Sequence, residues 1–269
     1  MNKIMKQEWD SIADENAFYG VLSRDEFENP DEIDIDKFWE TGKNDVNTIL
    51  EIVRPENSKS LKMLEIGCGL GRMTHHFAEC FGEVYALDVS SEMLSKAENY
   101  WKHLPNVNWV LGNGEDLSTI ADAGVDCVFS FWVLQHIPDR EAVINYIRES
   151  ARVLKEGGTA FLQFRMAPNA LNFAALKYNV VRMMPTPLHN SLRTLWDRIN
   201  KYDGTRAKFA RQYESWRGCI MTPAIIETVS AKCGLQIQKQ GSFGIQSSGT
   251  QSAYYVFRKQ PETSNIAKG

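Results

Sequence analysis

From Lys62 to Arg165 short apolar runs alternate with amphipathic stretches, and this alternation restricts the possible folds more than any other feature of the chain. The runs KMLEIG, EVYALDV, VNWVLG, VDCVFSFW and TAFLQFR have strand length and are rich in β-branched and aromatic residues. Between them the sequence reads as helices near Arg72 to Cys80, Ser91 to Tyr100, Leu117 to Ala121 and Arg140 to Leu154. Such alternation predicts a parallel sheet with right-handed crossovers and helices on both faces. Further on, Pro223 to Cys233 reads as a helix ended by Gly234. LQIQKQGSF and SAYYVFRK then read as two strands joined by a turn at Ser247 to Thr250. The expected fold is therefore α/β: a seven-stranded, mostly parallel, doubly wound sheet with a terminal antiparallel hairpin, an N-terminal helical segment and a helical cap insertion.

Several function classes are disfavoured by composition. The first residues lack the apolar run of a signal peptide, and no stretch of about 18 apolar residues could span a bilayer, so a cytoplasmic protein without a membrane partner is expected. Five cysteines without a CxxC pair suggest reduced thiols, with neither a disulfide framework nor a metal site. A net charge of −4 argues against a nucleic-acid partner. The charge is uneven: residues 1–56 hold 15 acidic and 6 basic residues, net −9, whereas residues 177–217 hold 9 basic and 3 acidic, net +6. Docking of the second stretch on the first is plausible on charge alone.

Gly67, Gly69 and Gly71 fall between an apolar strand and a helix, where missing side chains permit tight turning and let backbone approach a ligand. Asp88 ends the next strand, where a carboxylate can accept hydrogen bonds from ribose hydroxyls. A dinucleotide fingerprint starting at Gly67 would need glycine or alanine where Arg72 stands. Glu65, beside the loop, suits a cationic ligand better than a pyrophosphate.

On these residues the segment 61–165 resembles the class I, Rossmann-like S-adenosylmethionine-dependent methyltransferases, in particular their small-molecule, ubiquinone-biosynthesis-like branch (methyltransferase type 11). LEIGCGLGR resembles the first motif of that family, ALDVSSEML the second, WVLGNGEDL the third, VDCVFSFWVLQHIPD the fourth and RVLKEGGTAFLQF the approach to the fifth strand. The resemblance implies that S-adenosyl-L-methionine is the cofactor and S-adenosyl-L-homocysteine the product. It places Glu65 and the backbone of Gly67, Cys68 and Gly69 at the methionine end, counts Gly71 of the same loop among the cofactor-binding residues, and has Arg72 reaching toward the cofactor carboxylate. Asp88 would hold the ribose, Val89 and Met93 would pack on the adenine, and Phe131 would complete the pocket. Asn113 stands where the family usually has aspartate; its amide oxygen would accept from the adenine amine, with Gly114 and Glu115 adjacent.

The organisation expected from this resemblance is an N-terminal helical segment, 1–60, closing the cofactor pocket; a core, 61–165; a cap, 166–221; a last helix and hairpin, 222–260; and a disordered tail, 261–269. In the first of these Asp45 to Arg54 shows a helical apolar face, stopped by Pro55. Trp9, Phe18, Tyr19, Phe38 and Trp39 are spaced irregularly among acids.

Methyl transfer from a sulfonium needs chiefly an aligned nucleophile and a dry site. A general base aids hydroxyl or ammonium acceptors, and His136, just past the fourth strand, is the leading candidate. Trp132, Arg165, Trp196, Tyr202, Arg206, Tyr213 and Trp216 supply aromatic and guanidinium groups suited to a small metabolite bearing a carboxylate or phosphate. The reaction expected is N- or O-methylation of such a metabolite, with natural-product intermediates among the candidates, by a monomer or homodimer. The competing readings are a noncatalytic cofactor-binding scaffold and a nicotinamide-dependent dehydrogenase.

Overall fold

The computed structural model describes residues 2–167, 205–245 and 250–261. Two helices come first. The helix α1 (Asn2–Val21) carries Met5, Trp9, Ile12 and Ala13 on one face, the 3.6-residue spacing of a packed helix. It kinks at Asn16, whose amide donates to the carbonyls of Phe27 and Glu28, both at 3.0 Å, and whose oxygen accepts from the Tyr19 backbone. The helix α2 (Ile35–Val53) is capped by Asp34 and stops at Arg54, which is left-handed and precedes Pro55.

The sheet follows: β1 (Lys62–Ile66), α3 (Thr74–Cys80), β2 (Glu83–Asp88), α4 (Ser91–Trp101), β3 (Val107–Leu111), β4 (Val125–Ser130), α5 (Arg140–Val153) and β5 (Leu154–Met166). The helices α6 (Thr205–Gln212), α7 (Glu214–Arg217) and α8 (Pro223–Lys232) lead to β6 (Leu235–Ile245) and β7 (Gln251–Lys259). Strand order is β3-β2-β1-β4-β5-β7-β6. The first five strands pair in parallel, while β7 runs antiparallel to both β5 and β6. This is the expected seven-stranded sheet with its terminal hairpin.

Two-residue alternation decides which side chains meet which layer. Leu64 and Ile66 of β1 pack in a core with Val143, Ile144 and Ile147 of α5, while Met63 faces Phe77 and Phe81 of α3 and Ile49 of α2. A third cluster joins α1, α2, α6 and α7 through Ile12, Tyr19, Phe38, Phe209 and Trp216. Among the described residues no helix is long and apolar enough to cross a membrane.

One expected helix is absent. Residues 112–124 cross from β3 to β4 as turns, because polar caps satisfy the backbone in place of a helix. The Asn113 oxygen accepts from the backbone of Glu115 and Asp116, and the Glu149 carboxylate accepts from Leu117. Arg152 donates to the carbonyls of Leu117 and Ile120. Leu117 and Ile120 themselves are core residues, which gave this stretch its helix-like pattern.

Candidate functional site

A cleft of about 850 Å³, open to solvent, lies at the carboxyl ends of the parallel strands, where ligands bind in doubly wound sheets. Its floor is the glycine loop. The backbone N–H groups of Gly67 and Cys68 both donate to the Leu87 carbonyl, at 2.7 and 3.0 Å, drawing the loop across the end of β2. Gly69 has φ +54°, and a Cβ there would stand 2.7 Å from a methyl of Val21 on α1. Only glycine fits between the loop and that helix.

Two buried carboxylates flank the loop. Asp88 accepts from the Gly69 N–H on one oxygen and the Ser90 N–H on the other, both at 2.9 Å. Burial pushes its carboxyl above the ordinary value, against the pull of those hydrogen bonds. Glu65 accepts from the Thr74 hydroxyl at 2.6 Å, and burial raises its carboxyl to about 7 although Arg72 is near. Both acids line the cleft and carry uncompensated desolvation, so a cation entering the cleft would be favoured and an anion opposed.

The helix α1 forms one wall. Met5, Trp9, Gly20 and Val21 line the cleft. Two of its carboxylates fasten it to neighbouring helices. Glu8 accepts from the backbone of Glu214 and Ser215 and from the Ser215 hydroxyl, at 2.9, 2.8 and 2.6 Å, and so caps α7. Asp10 accepts from Ser90 and Glu92 at the start of α4. Further contacts run from Glu15 to Lys208 and from Thr205 to Glu28, so the acidic N-terminal segment does meet residues 205–217.

Of the residues assigned to a cofactor, Glu65, Gly67, Cys68, Gly69, Arg72, Asp88, Val89, Met93 and Phe131 line the cleft, and Gly71, Asn113, Gly114 and Glu115 do not. Asn113 is exposed, and its oxygen is committed to the two backbone donors of its own turn. Glu115 is exposed as well, and Gly114 is covered by Met5 and Val89. Arg72 is turned toward α2: it pairs with Asp45 at 2.7 Å and donates to the Thr41 hydroxyl at 3.1 Å, leaving Nε without a hydrogen-bond partner among the described residues.

On the opposite wall stand Trp132, Val133 and His136, all after β4. Trp132 has φ +62°, a costly conformation for a bulky residue that persists only where its surroundings enforce it. His136 packs edge-on against Trp9 at 5.7 Å and lies 5.5 Å from the Trp216 ring. Its Nε2 is 3.1 Å from the Gln135 amide nitrogen. Arg165, Tyr213 and Trp216 do not line the cleft; Tyr213 and Trp216 are buried in the cluster around Phe209, and Trp216 stacks on Tyr19. Trp196 and Tyr202 lie outside the described residues, as does the Arg206 side chain.

Sequence reasoning missed Met5, Gly20, Val21, Val133 and Tyr146 as cleft residues. The spacing of Met5, Trp9, Ile12 and Ala13 was the available signal for the first wall. Nothing in the sequence marked Tyr146, which reaches the cleft from α5.

Residues 64–162 match the family described as methyltransferase domain. A phosphoethanolamine N-methyltransferase of Arabidopsis thaliana is 32% identical over 117 residues, 43% of this chain and 23% of that protein. A ubiquinone biosynthesis O-methyltransferase of Xanthomonas oryzae pv. oryzae is 29% identical over 132 residues, 48% of this chain and 54% of that protein. The matched segment thus spans about half or less of these relatives. Among solved structures, magnesium protoporphyrin IX methyltransferase from Synechocystis PCC 6803 with bound SAH superposes with a TM-score of 0.63 at 18% identity, covering 97% of this chain and all of that one.

Proposed function

We propose that the chain is an S-adenosylmethionine-dependent methyltransferase of the class I, Rossmann-like kind acting on nitrogen or oxygen of a small metabolite, a reading supported by the match of residues 64–162 to the methyltransferase domain family and by the fold shared with a solved methyltransferase. The observation that carries this reading is the pair of buried acids, Glu65 and Asp88, on either side of the glycine loop in one cleft. S-adenosylmethionine is cationic at its sulfonium and its ammonium, and when bound it supplies an activated methyl group. Glu65 and the backbone of Gly67 to Gly69 would hold its methionine end, Asp88 its ribose, and Val89 and Met93 its adenine. A nicotinamide dinucleotide would bring a pyrophosphate toward two carboxylates where, among the described residues, the one basic side chain lining the cleft besides His136, Arg72, is paired with Asp45 and bonded to Thr41.

The work left to the chain is alignment and exclusion of water. Trp9 and Val21 of α1 cover one side, Trp132 and Val133 the other, and His136 supplies a polar group on the wall where an acceptor would lie. The N-terminal segment thereby closes the cofactor pocket. The relatives named for phosphoethanolamine and for ubiquinone biosynthesis are consistent with either acceptor atom. The net +6 of residues 177–217 suits an acceptor with a carboxylate or phosphate.

Calorimetric titration with S-adenosylmethionine and separately with NADH tests the reading. Micromolar binding of the first alone, lost in Asp88→Ala with the fold retained by circular dichroism, is the expected result. Absence of that binding, or tighter binding of NADH, refutes it.

A further inference from the structure

The outer side of the glycine loop is held by two aromatic rings that do not line the cleft. Trp101, the last residue of α4, donates its indole N–H to the Leu70 carbonyl at 3.1 Å. His75, in the first turn of α3, has its Nδ1 2.9 Å from the carbonyl of the next loop residue, Gly71. A carbonyl can only accept, so Nδ1 carries the proton. Burial lowers this imidazole to about 4, so at neutral pH the ring is an uncharged donor. The two rings stack, with centroids 3.8 Å apart and planes 6° from parallel. Trp39 of α2 meets both edge-on, Trp101 at 4.9 Å and His75 at 5.7 Å. Two successive carbonyls are thus tied to one braced stack drawn from two helices.

Gly71 fits the same device. Its φ is +77°, and a Cβ there would stand 2.7 Å from Cδ1 of Trp101, 2.9 Å from its Nε1 and 3.1 Å from the ring of Trp109 on β3. A side chain at this position would push the indole off the Leu70 carbonyl. Gly71 does not line the cleft, so the space it leaves open is filled by the indole. On the inner side the N–H groups of Gly67 and Cys68 are held by the Leu87 carbonyl and that of Gly69 by Asp88. The loop is therefore gripped from both sides, by β2 on one and by ring N–H groups on the other.

We propose that Trp101 and His75 are positioning residues for the cofactor loop, their ring N–H groups holding the Leu70 and Gly71 carbonyls away from the cleft, and that Gly71 is glycine to admit the indole and not the ligand. Carbonyl oxygens released toward the cleft would oppose the carboxylate at the methionine end of the cofactor. That the loop serves S-adenosylmethionine rests on the methyltransferase reading. That the rings hold the loop does not.

Three variants of the full-length protein test it. Trp101→Phe keeps a ring and loses the N–H, His75→Leu loses the donor, and His75→Asn keeps one, since its amide nitrogen takes the place of Nδ1. Hydrogen exchange of the Gly67, Cys68 and Gly69 amides in the ligand-free protein should quicken about 3- to 10-fold in the first two variants, the worth of one neutral hydrogen bond, and return toward wild type in His75→Asn, with β4 amides unchanged throughout. Calorimetric titration with S-adenosylhomocysteine, at a temperature where each variant is folded by circular dichroism, should show the same order of affinities. Trp101→Phe and His75→Leu are independent, so either serves if the other does not fold. Unchanged loop exchange would overturn the inference whatever the affinities. Faster exchange with wild-type affinity would overturn it too, since the rings would then stabilise the loop without positioning it for a ligand. A wild type that does not bind S-adenosylhomocysteine refutes the methyltransferase reading and with it the cofactor role of the loop, while the exchange data still decide whether the rings hold it.

Discussion

Replacing Glu65 by glutamine separates the cost of burying a charge from its use. The folded carboxyl sits at about 7 against an ordinary 4.5. A carboxyl raised in this way favours the folded state below 4.5 and loses that advantage as pH climbs toward 7. By pH 8 the wild type forgoes about 3 kcal/mol, and by pH 5 about 1 kcal/mol. Glutamine keeps an oxygen for the Thr74 hydroxyl and has no charge to desolvate. The free-energy difference, variant minus wild type, should therefore move in the variant's favour by about 2 kcal/mol between pH 5 and pH 8, whatever the offset from the new NH₂ group. Denaturant melts at the two pH values measure it. The cofactor should respond oppositely. At pH 6.5 the free carboxyl is about three-quarters protonated, and the amine of S-adenosylmethionine is already charged. Binding should expel roughly 0.7 proton from Glu65 in the wild type, seen as a dependence of binding enthalpy on buffer ionisation enthalpy, and this part should vanish in Glu65→Gln. Loss of a charge-assisted hydrogen bond should weaken binding about 10- to 100-fold. A stability difference flat across pH, or equal proton release by the two proteins, would refute the reasoning.

Other perturbations address other parts of the molecule. His75 stacks on Trp101 at 3.8 Å and bonds the Gly71 carbonyl, and burial lowers it to about 4. A histidine depressed in the fold is neutral above the unfolded value near 6.5, and its contribution is lost as pH falls toward 4. Wild type should lose about 2 kcal/mol from this group by pH 5, a loss that His75→Asn should not show in parallel melts. Glu8→Ala removes the cap of α7 and should cost about 1 to 2 kcal/mol in thermal melts while weakening the cofactor, since Trp9 is adjacent; unaltered binding would show that α1 is not a working wall. Leu117→Ala, in the helix-free crossover, should cost about 2 to 5 kcal/mol by chemical denaturation, as for any fully buried leucine.

How much was legible in the sequence follows from which interactions decided each part. The parallel strands, the glycine loop and Asp88 were legible because two-residue apolar periodicity and a loop lying against the next strand are local facts. The crossover at 112–124 was not, because Leu117 and Ile120 have helical spacing while their backbone partners, Glu149 and Arg152, come from α5. Asn113 was read as a ligand contact from its place in a motif. The structure spends its oxygen on its own turn, a local competition to which short amides are prone. The kinked α1 escaped because charges interrupt its apolar face and Asn16 breaks it in two.

Those same charges explain why an acidic segment can serve as a wall beside acids at all. Residues 1–56 carry net −9, yet Glu8 and Asp10 point at the N-termini of α7 and α4, where unpaired backbone N–H groups concentrate positive potential. Glu15 and Glu28 face Lys208 and the Thr205 backbone. Each carboxylate is thus directed outward from the cleft, and the side chains α1 turns into it, Met5, Trp9 and Val21, are uncharged. Glu65 and Asp88 remain the two acids that line the cleft among the described residues, so the attraction for a cation is concentrated where the glycine loop can contact it. Had the acids of α1 faced inward, their own repulsion against Glu65 and Asp88 would have opposed the packing of α1 along this cleft. The arrangement lets one helix line the cleft with apolar surface while its carboxylates fasten it to the neighbouring helices.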